Sequence, residues 1–163
     1  MPIRHDTDGW YWGSKGPFDT KAKALQVARA AHASGFREES EMDNTKEMPA
    51  FALNMLHSVT NGHILHLAAD STAVHLAMGE FYTGMEELVD DLVEAFQGKY
   101  NKIINYGSNY QPPPSSPVEY MVALLEYVEE ARIDLPQDTY IQNIIDEIVQ
   151  QITSTLNKLR FYK

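Results

Sequence analysis

Apolar residues recur at helical spacing through most of the chain after residue 47. Intervals of three and four residues place such side chains on one face of a helix, as expected for a helix that packs against others. The clearest stripe lies near the end of the chain and comprises Ile141, Ile144, Ile145, Ile148, Ile152, Leu156 and Leu159. A second stripe comprises Val74, Met78, Phe81, Met85, Leu88, Leu92 and Phe96 and predicts a long helix ending near Gly98.

Two further helices are predicted from shorter stripes and from their start signals. Pro49 suits a first helical turn, and Phe51 to Leu65 favour a helix that continues to about Ala68. The sequence Ser116-Pro117-Val118-Glu119 is a capping box with proline at the first helical position. The helix that follows carries Met121, Leu124, Leu125 and Val128 and should end before Pro136.

The connections between these four helices indicate their topology. A short break at 69–72 joins the first two, and Asp138 is placed to cap the fourth. The second and third are separated by the proline-rich stretch 99–117, which predicts a long crossover loop with a short helical turn near Ile103 and Ile104. The predicted fold class is therefore mainly α: a ferritin-like four-helix bundle with one crossover over residues 48–163.

Residues 1–36 form a different kind of segment. Trp10, Tyr11 and Trp12 are strand-prone, a glycine-rich turn follows them, and Pro17-Phe18 can return as a second strand. Asp19 or Thr20 can cap a helix that runs to about residue 34. We expect a small β-hairpin plus helix here, joined to the bundle by a charged linker at 37–47.

The amino-acid composition argues against several classes of function. The 163 residues carry a formal net charge of −10, which argues against binding to DNA. The chain has no cysteine, which excludes disulfides and thiolate metal sites, and no apolar run approaches the roughly 20 residues that a membrane span needs. We expect no membrane association and a cytoplasmic location, in a bacterial host or as a phage-encoded protein.

Candidate chemistry concentrates in the first two helices of the predicted bundle, because none of the six histidines lies after His75. His63 sits near the end of one helix and His75 in the first turn of the next, so the short break should bring them close. Asp90 and Glu94 share a helix face because they are four residues apart. Imidazole and carboxylate together suit iron, manganese or zinc.

Three further residues border this set. Glu80 and His66 are candidates for an additional ligand, and Tyr82 is either an aromatic neighbour of the site or an interface residue.

This stretch resembles the Dps-type mini-ferritins of the ferritin-like superfamily. Their ferroxidase signature is a His, a second His 12 residues later, an Asp 15 residues after that and a Glu four further on, which are the spacings of His63, His75, Asp90 and Glu94. The resemblance implies homodimers that build a hollow dodecamer. It places each metal site at a twofold interface, with the histidines from one subunit and the carboxylates from its partner. The implied activity is oxidation of Fe(II) by peroxide or oxygen, followed by iron storage.

The chain departs from that family at three points. Gly79 stands where the family has an Asp, Ile64 stands where it has a Trp, and the basic N-terminal tail is replaced by residues 1–36, which resemble small modules of bacteriophage proteins. The alternative hypothesis is therefore a non-enzymatic structural or adaptor protein that has lost the metal chemistry. In that case His63 and His75 are helix-end histidines and Asp90 and Glu94 belong to a solvated face.

Overall fold

The computed structural model describes residues 3–12, 15–33 and 45–162. The protein is mainly helical, with a small three-stranded antiparallel sheet. The chain divides into two compact units, Met1–Asp43 and Asn44–Lys163. Most of the predicted linker at 37–47 lies outside the described residues. None of the helices in the described ranges combines the length and apolarity needed to cross a lipid bilayer.

The first unit is a sheet covered by one helix. Strands β1 (Ile3–Asp6), β2 (Gly9–Trp12) and β3 (Lys15–Phe18) pair in that order, and helix α1 (Lys21–Ala33) packs on them. Trp12 is buried, as are Ala24 and Ala28 of α1. The predicted hairpin and helix are therefore present, but β1 is an additional strand. The apolar pattern did not indicate β1, because Ile3–Asp6 contains a single apolar residue.

The second unit begins with two long helices joined by a short turn, α2 (Met48–Leu67) and α3 (Thr72–Tyr100). The Ser71 hydroxyl accepts a hydrogen bond from the backbone N–H of Val74 at 3.3 Å, which caps α3. Asn101 ends α3 in the left-handed conformation, with φ of 47°. The predicted boundaries of both helices are accurate to within about one turn.

Two more helices complete this unit, α4 (Pro117–Ala131) and α5 (Thr139–Phe161), with a 3-10 turn at Arg132–Asp134 between them. Ser116 caps α4 by accepting from the N–H of Glu119 at 3.3 Å, as the capping box predicts. The Asp138 side chain makes no capping hydrogen bond to α5. Instead, its carboxylate accepts from the Tyr100 hydroxyl at 2.5 Å and pairs with Lys99 at 3.2 Å.

One apolar core joins the four helices of the second unit. The α3 and α5 stripes supply its centre, where the fully buried residues include Met78, Phe81, Met85, Leu92, Phe96, Ile141, Ile145, Ile148 and Ile152. Leu88 and Ile144, which the stripes also include, are only partly buried at its edge.

Residues 101–116 have no regular secondary structure and run beside α2. Gly107 lies next to the Leu53 side chain, and the Tyr110 hydroxyl donates to Oδ1 of buried Asn61 at 2.9 Å. The amide of Asn61 donates in turn to the carbonyl of Gln111 at 3.3 Å. The predicted helical turn at Ile103 and Ile104 is absent. Ile104 is instead buried in the core as part of this irregular segment.

Candidate metal site

The turn between α2 and α3 holds two histidines in direct contact. Their rings stack with centroids 3.8 Å apart, and each ring bonds to the backbone of the other residue. Nδ1 of His66 lies 2.7 Å from the carbonyl oxygen of His75, and Nδ1 of His75 lies 3.1 Å from the carbonyl oxygen of His66. The turn brings the last part of α2 against the first part of α3, which is why residues nine positions apart can exchange these bonds.

His63 lies beside this pair but contacts a different ring. Its imidazole stacks on Tyr82 with centroids 4.5 Å apart, whereas the His63 and His66 centroids are 6.0 Å apart. Tyr82 also meets His66 edge-on at 5.5 Å. The structure therefore places His66 against His75, while His63 packs on Tyr82.

The absence of a side chain at Gly79 leaves room for the His66 ring. A Cβ atom at position 79 would lie 3.1 Å from Nδ1 and 3.2 Å from Cε1 of His66. The space next to residue 79 is thus filled by an imidazole from α2. Sequence reasoning did not anticipate this contact, although the absence of a side chain at 79, one turn after His75, was the available signal.

Glu80 is engaged with α5. Its carboxylate forms an ion pair with Lys158, and its backbone carbonyl accepts from the Gln151 amide at 2.9 Å. The Glu80 carboxylate therefore contacts α5 and does not join the histidines in this chain.

Asp90 and Glu94 lie further along α3, where both are exposed. Fifteen residues separate His75 from Asp90, which corresponds to about 22 Å along a helix axis. Tyr106 is close to Asp90: partial burial raises the pKa of its hydroxyl, and the Asp90 carboxylate raises it further. Within one chain, the histidines and the carboxylates therefore form two separate groups.

In the described parts of the chain, no three His, Asp or Glu side chains converge as metal ligands. The four predicted ligands share one face of α3 and the adjoining end of α2 instead. At about 100° per residue, Asp90 lies only about 60° around the helix from His75. The histidines and the carboxylates can therefore meet at one metal ion only if two chains contribute them.

Residues 66–159 match a protein family described as a family of unknown function, DUF5856. The chain belongs to this family. No curated protein and no solved structure matches the chain.

The DUF5856 match covers the helical unit from the end of α2 to the last turns of α5. It includes His66, His75, Asp90 and Glu94, whereas His63 and the sheet unit lie before it. The DUF5856 description names no activity.

Proposed function

We propose that this protein is a ferritin-like, Dps-type iron protein that binds and oxidises Fe(II) at a site shared by two subunits. The observation that carries the proposal is the position of the ligands on α3. His75 lies near one end of an exposed face of α3. Along the helix axis, Asp90 lies about 22 Å and Glu94 about 28 Å from it.

Helix contacts in the second unit support a bundle with one crossover. The end of α3 meets the start of α5 through Lys99 and Asp138, while Glu80 near its start meets Lys158, so α3 and α5 run in opposite directions. Asn54 near the start of α2 donates to the hydroxyl of Tyr127 near the end of α4. With residues 101–116 running beside α2, these directions agree with ferritin-like connectivity.

A twofold axis would unite the separated ligands. If two copies of α3 pair antiparallel about a point near Thr83, the histidine end of each copy faces the carboxylate end of the other. Such an interface is self-complementary, as a twofold dimer requires. Each dimer would contain two equivalent sites, with His63 and His75 from one subunit and Asp90 and Glu94 from its partner.

Exposed apolar side chains on α2 support such pairing. Leu56 and Leu67 are exposed and lie within about 40° of His63 around the helix, with Leu67 at 71% exposure. Exposed apolar side chains on one side of a helix are typical of a contact surface between subunits. Burial of these side chains would supply the hydrophobic contribution to dimer formation.

The ligand chemistry fits iron as the substrate. Imidazole nitrogen and carboxylate oxygen both bind Fe(II), and the two carboxylates favour the extra positive charge of Fe(III) after one electron leaves each ion. The oxidant, peroxide or oxygen, accepts those electrons. Manganese and zinc are the alternative ions for the same donor set.

Anaerobic Fe(II) titration tests this function. We expect saturable binding, followed by growth of Fe(III) absorbance when peroxide or oxygen is added. The double variant Asp90→Asn, Glu94→Gln should lose both signals, whereas Asp91→Asn, at an exposed neighbouring position, should retain them. Equal binding by the wild type and the double variant would contradict the proposal.

The second candidate function is a non-enzymatic structural or adaptor role. It is favoured by Gly79, because the space beside this residue is filled by His66 where the resembled family places a carboxylate. Mass measurement by light scattering distinguishes the two functions. A closed multimer agrees with storage, whereas a monomer or simple dimer that binds no Fe(II) agrees with the adaptor.

A further inference from the structure

We infer that Tyr82 is a positioning residue of the proposed iron site. Its ring holds the imidazole of His63 in one orientation, so that His63 is ordered before it binds Fe(II). This inference rests on the proposed function, in which His63 is a ligand, and it adds a residue that acts through that ligand.

The contact between the two rings is direct. The ring centroids of His63 and Tyr82 are 4.5 Å apart and the ring planes differ by 22°, which is a stacked arrangement. Aromatic rings at this separation stabilise each other beyond the burial of their apolar area. The Tyr82 ring also meets the His66 imidazole edge-on at 5.5 Å, so it contacts two side chains of α2.

Hydrogen bonds do not fix the His63 ring. The Nδ1 atoms of His66 and His75 lie within hydrogen-bond distance of backbone carbonyls, whereas the His63 imidazole forms no hydrogen bond within the described residues. His63 is exposed on α2, and exposed side chains change rotamer on the picosecond to nanosecond timescale. The stack on Tyr82 is therefore the contact that restrains this imidazole.

Tyr82 is itself held in place by the packing of α2 on α3. A Cβ atom at Gly62, which precedes His63, would lie 3.1 Å from Cβ of Tyr82. The Tyr82 side chain is partly buried and packs against the apolar core of the helical unit. The ring of Tyr82 therefore lies against the turn of α2 that carries His63.

Restraint of His63 affects metal binding through conformational entropy. A side chain that is free in the unbound protein loses rotamer freedom when it binds an ion, and this loss lowers affinity by about two- to tenfold. When Tyr82 already restrains the His63 ring, that loss does not occur on binding. Tyr82 therefore strengthens Fe(II) binding by ordering a ligand.

Anaerobic Fe(II) titration of Tyr82 variants tests the inference. Tyr82→Leu, which keeps an apolar side chain but removes the ring, should weaken Fe(II) binding about two- to tenfold. Tyr82→Phe restores the ring and should restore wild-type affinity, and Tyr140→Leu, at an exposed tyrosine of α5, is the matched control. Wild-type affinity in Tyr82→Leu would overturn the inference, as would equal losses in Tyr82→Phe and Tyr82→Leu.

A double variant separates positioning of His63 from a general effect on the fold. His63→Ala retains three of the four proposed ligands and should bind Fe(II) more weakly than the wild type. Adding Tyr82→Leu to it should cause no further loss of affinity, because the imidazole that Tyr82 restrains is absent. An equal fold-loss in both backgrounds would show that Tyr82 acts through the fold and would overturn the inference.

Failure of the proposed function gives a different result. A wild type that binds no Fe(II) overturns the proposed function together with this role of Tyr82, whereas wild-type binding that Tyr82→Leu leaves unchanged overturns the inference alone. NMR of the metal-free wild type needs no variant: we expect nuclear Overhauser cross-peaks between the ring protons of His63 and Tyr82. Their absence would show that the ring of His63 is not held there and would overturn the inference.

Discussion

At the scale of single residues, two glycines of the helical unit have opposite surroundings. Gly62 of α2 is buried against α3, and a Cβ at this position would lie 2.7 Å from Cδ1 of Phe81 and 3.1 Å from Cβ of Tyr82. Gly98 of α3 is exposed, with no atom within 4 Å of the corresponding point. Helix propensity alone predicts that alanine would stabilise the helix at either position. The surroundings of the two glycines favour alanine only at Gly98.

The two glycines therefore respond differently to alanine. Gly62→Ala should lower the free energy of unfolding by about 1–2 kcal/mol, because displacement of the fully buried Phe81 outweighs the gain in helix propensity. Gly98→Ala should raise it by about 0.5–1 kcal/mol. Urea denaturation measures both, and a stabilised Gly62→Ala variant would contradict the close contact.

Asp138 makes a pH-dependent contribution to stability. The hydrogen bond from the Tyr100 hydroxyl, with a smaller contribution from Lys99, lowers the pKa of its carboxyl below the usual 3.8 despite partial burial. A lowered folded-state pKa means that the ionised group stabilises the fold above the unfolded pKa. That stabilisation is lost as the pH falls through the folded-state value.

Asp138→Asn should accordingly destabilise the protein at pH 7 by about 1–2 kcal/mol, the range of a hydrogen bond to a charged group. The difference from wild type should shrink as the pH drops below about 3.8. Asp134→Asn, at an exposed position in the preceding turn, is the control. A difference that does not change between pH 7 and pH 3 in urea melts would contradict this role of the carboxylate.

At the scale of elements, the helices were predictable and the segment beside α2 was not. The α3 and α5 stripes define long helices because each buries one continuous face, and Ser71 and Ser116 mark helix starts by local hydrogen bonds. Residues 101–116 lack such periodicity, and their path depends on Asn61, which is distant in sequence. Local pattern could not identify that contact.

Asn61 should therefore contribute more to stability than an ordinary asparagine. It accepts from Tyr110 and donates to the Gln111 carbonyl while only 5% exposed, so Asn61→Ala leaves these groups without their partner. We expect a loss of about 1–3 kcal/mol in the free energy of unfolding. Asn143→Ala, exposed on α5, should change it by less than about 0.5 kcal/mol. Equal melting midpoints for the two variants would contradict the role of Asn61.

At the candidate site, too, the sequence predicted some features and not others. Spacing predicted that Asp90 and Glu94 share a face of α3, because helical periodicity fixes the angle between them. It did not identify the partner of His75, since the stacking of His66 depends on how the chain turns between α2 and α3. Nor did it indicate that Glu80 pairs with Lys158, 78 residues later in the chain.

At the scale of the whole molecule, charge is distributed unevenly. Within residues 1–33, five Lys and Arg side chains stand against three Asp, whereas the chain as a whole carries −10. The acidic excess therefore belongs to the remainder of the chain, including the carboxylates on α3. An acidic surface attracts cations, which agrees with an iron protein and disfavours association with a phosphate backbone.

Mixing of subunits tests whether iron ligands from two chains form one site. One variant carries His63→Ala and His75→Ala, and the other carries Asp90→Asn and Glu94→Gln. In a twofold dimer of one chain of each kind, one of the two sites has every ligand intact.

Neither variant alone should bind Fe(II). When equal amounts of the two variants are unfolded together and refolded, about half of the dimers are mixed, and each mixed dimer has one intact site of two. The mixture should therefore regain about a quarter of the wild-type Fe(II)-binding capacity. Iron binding that stays absent in the mixture, while both variants fold and assemble as the wild type does, would contradict the shared site.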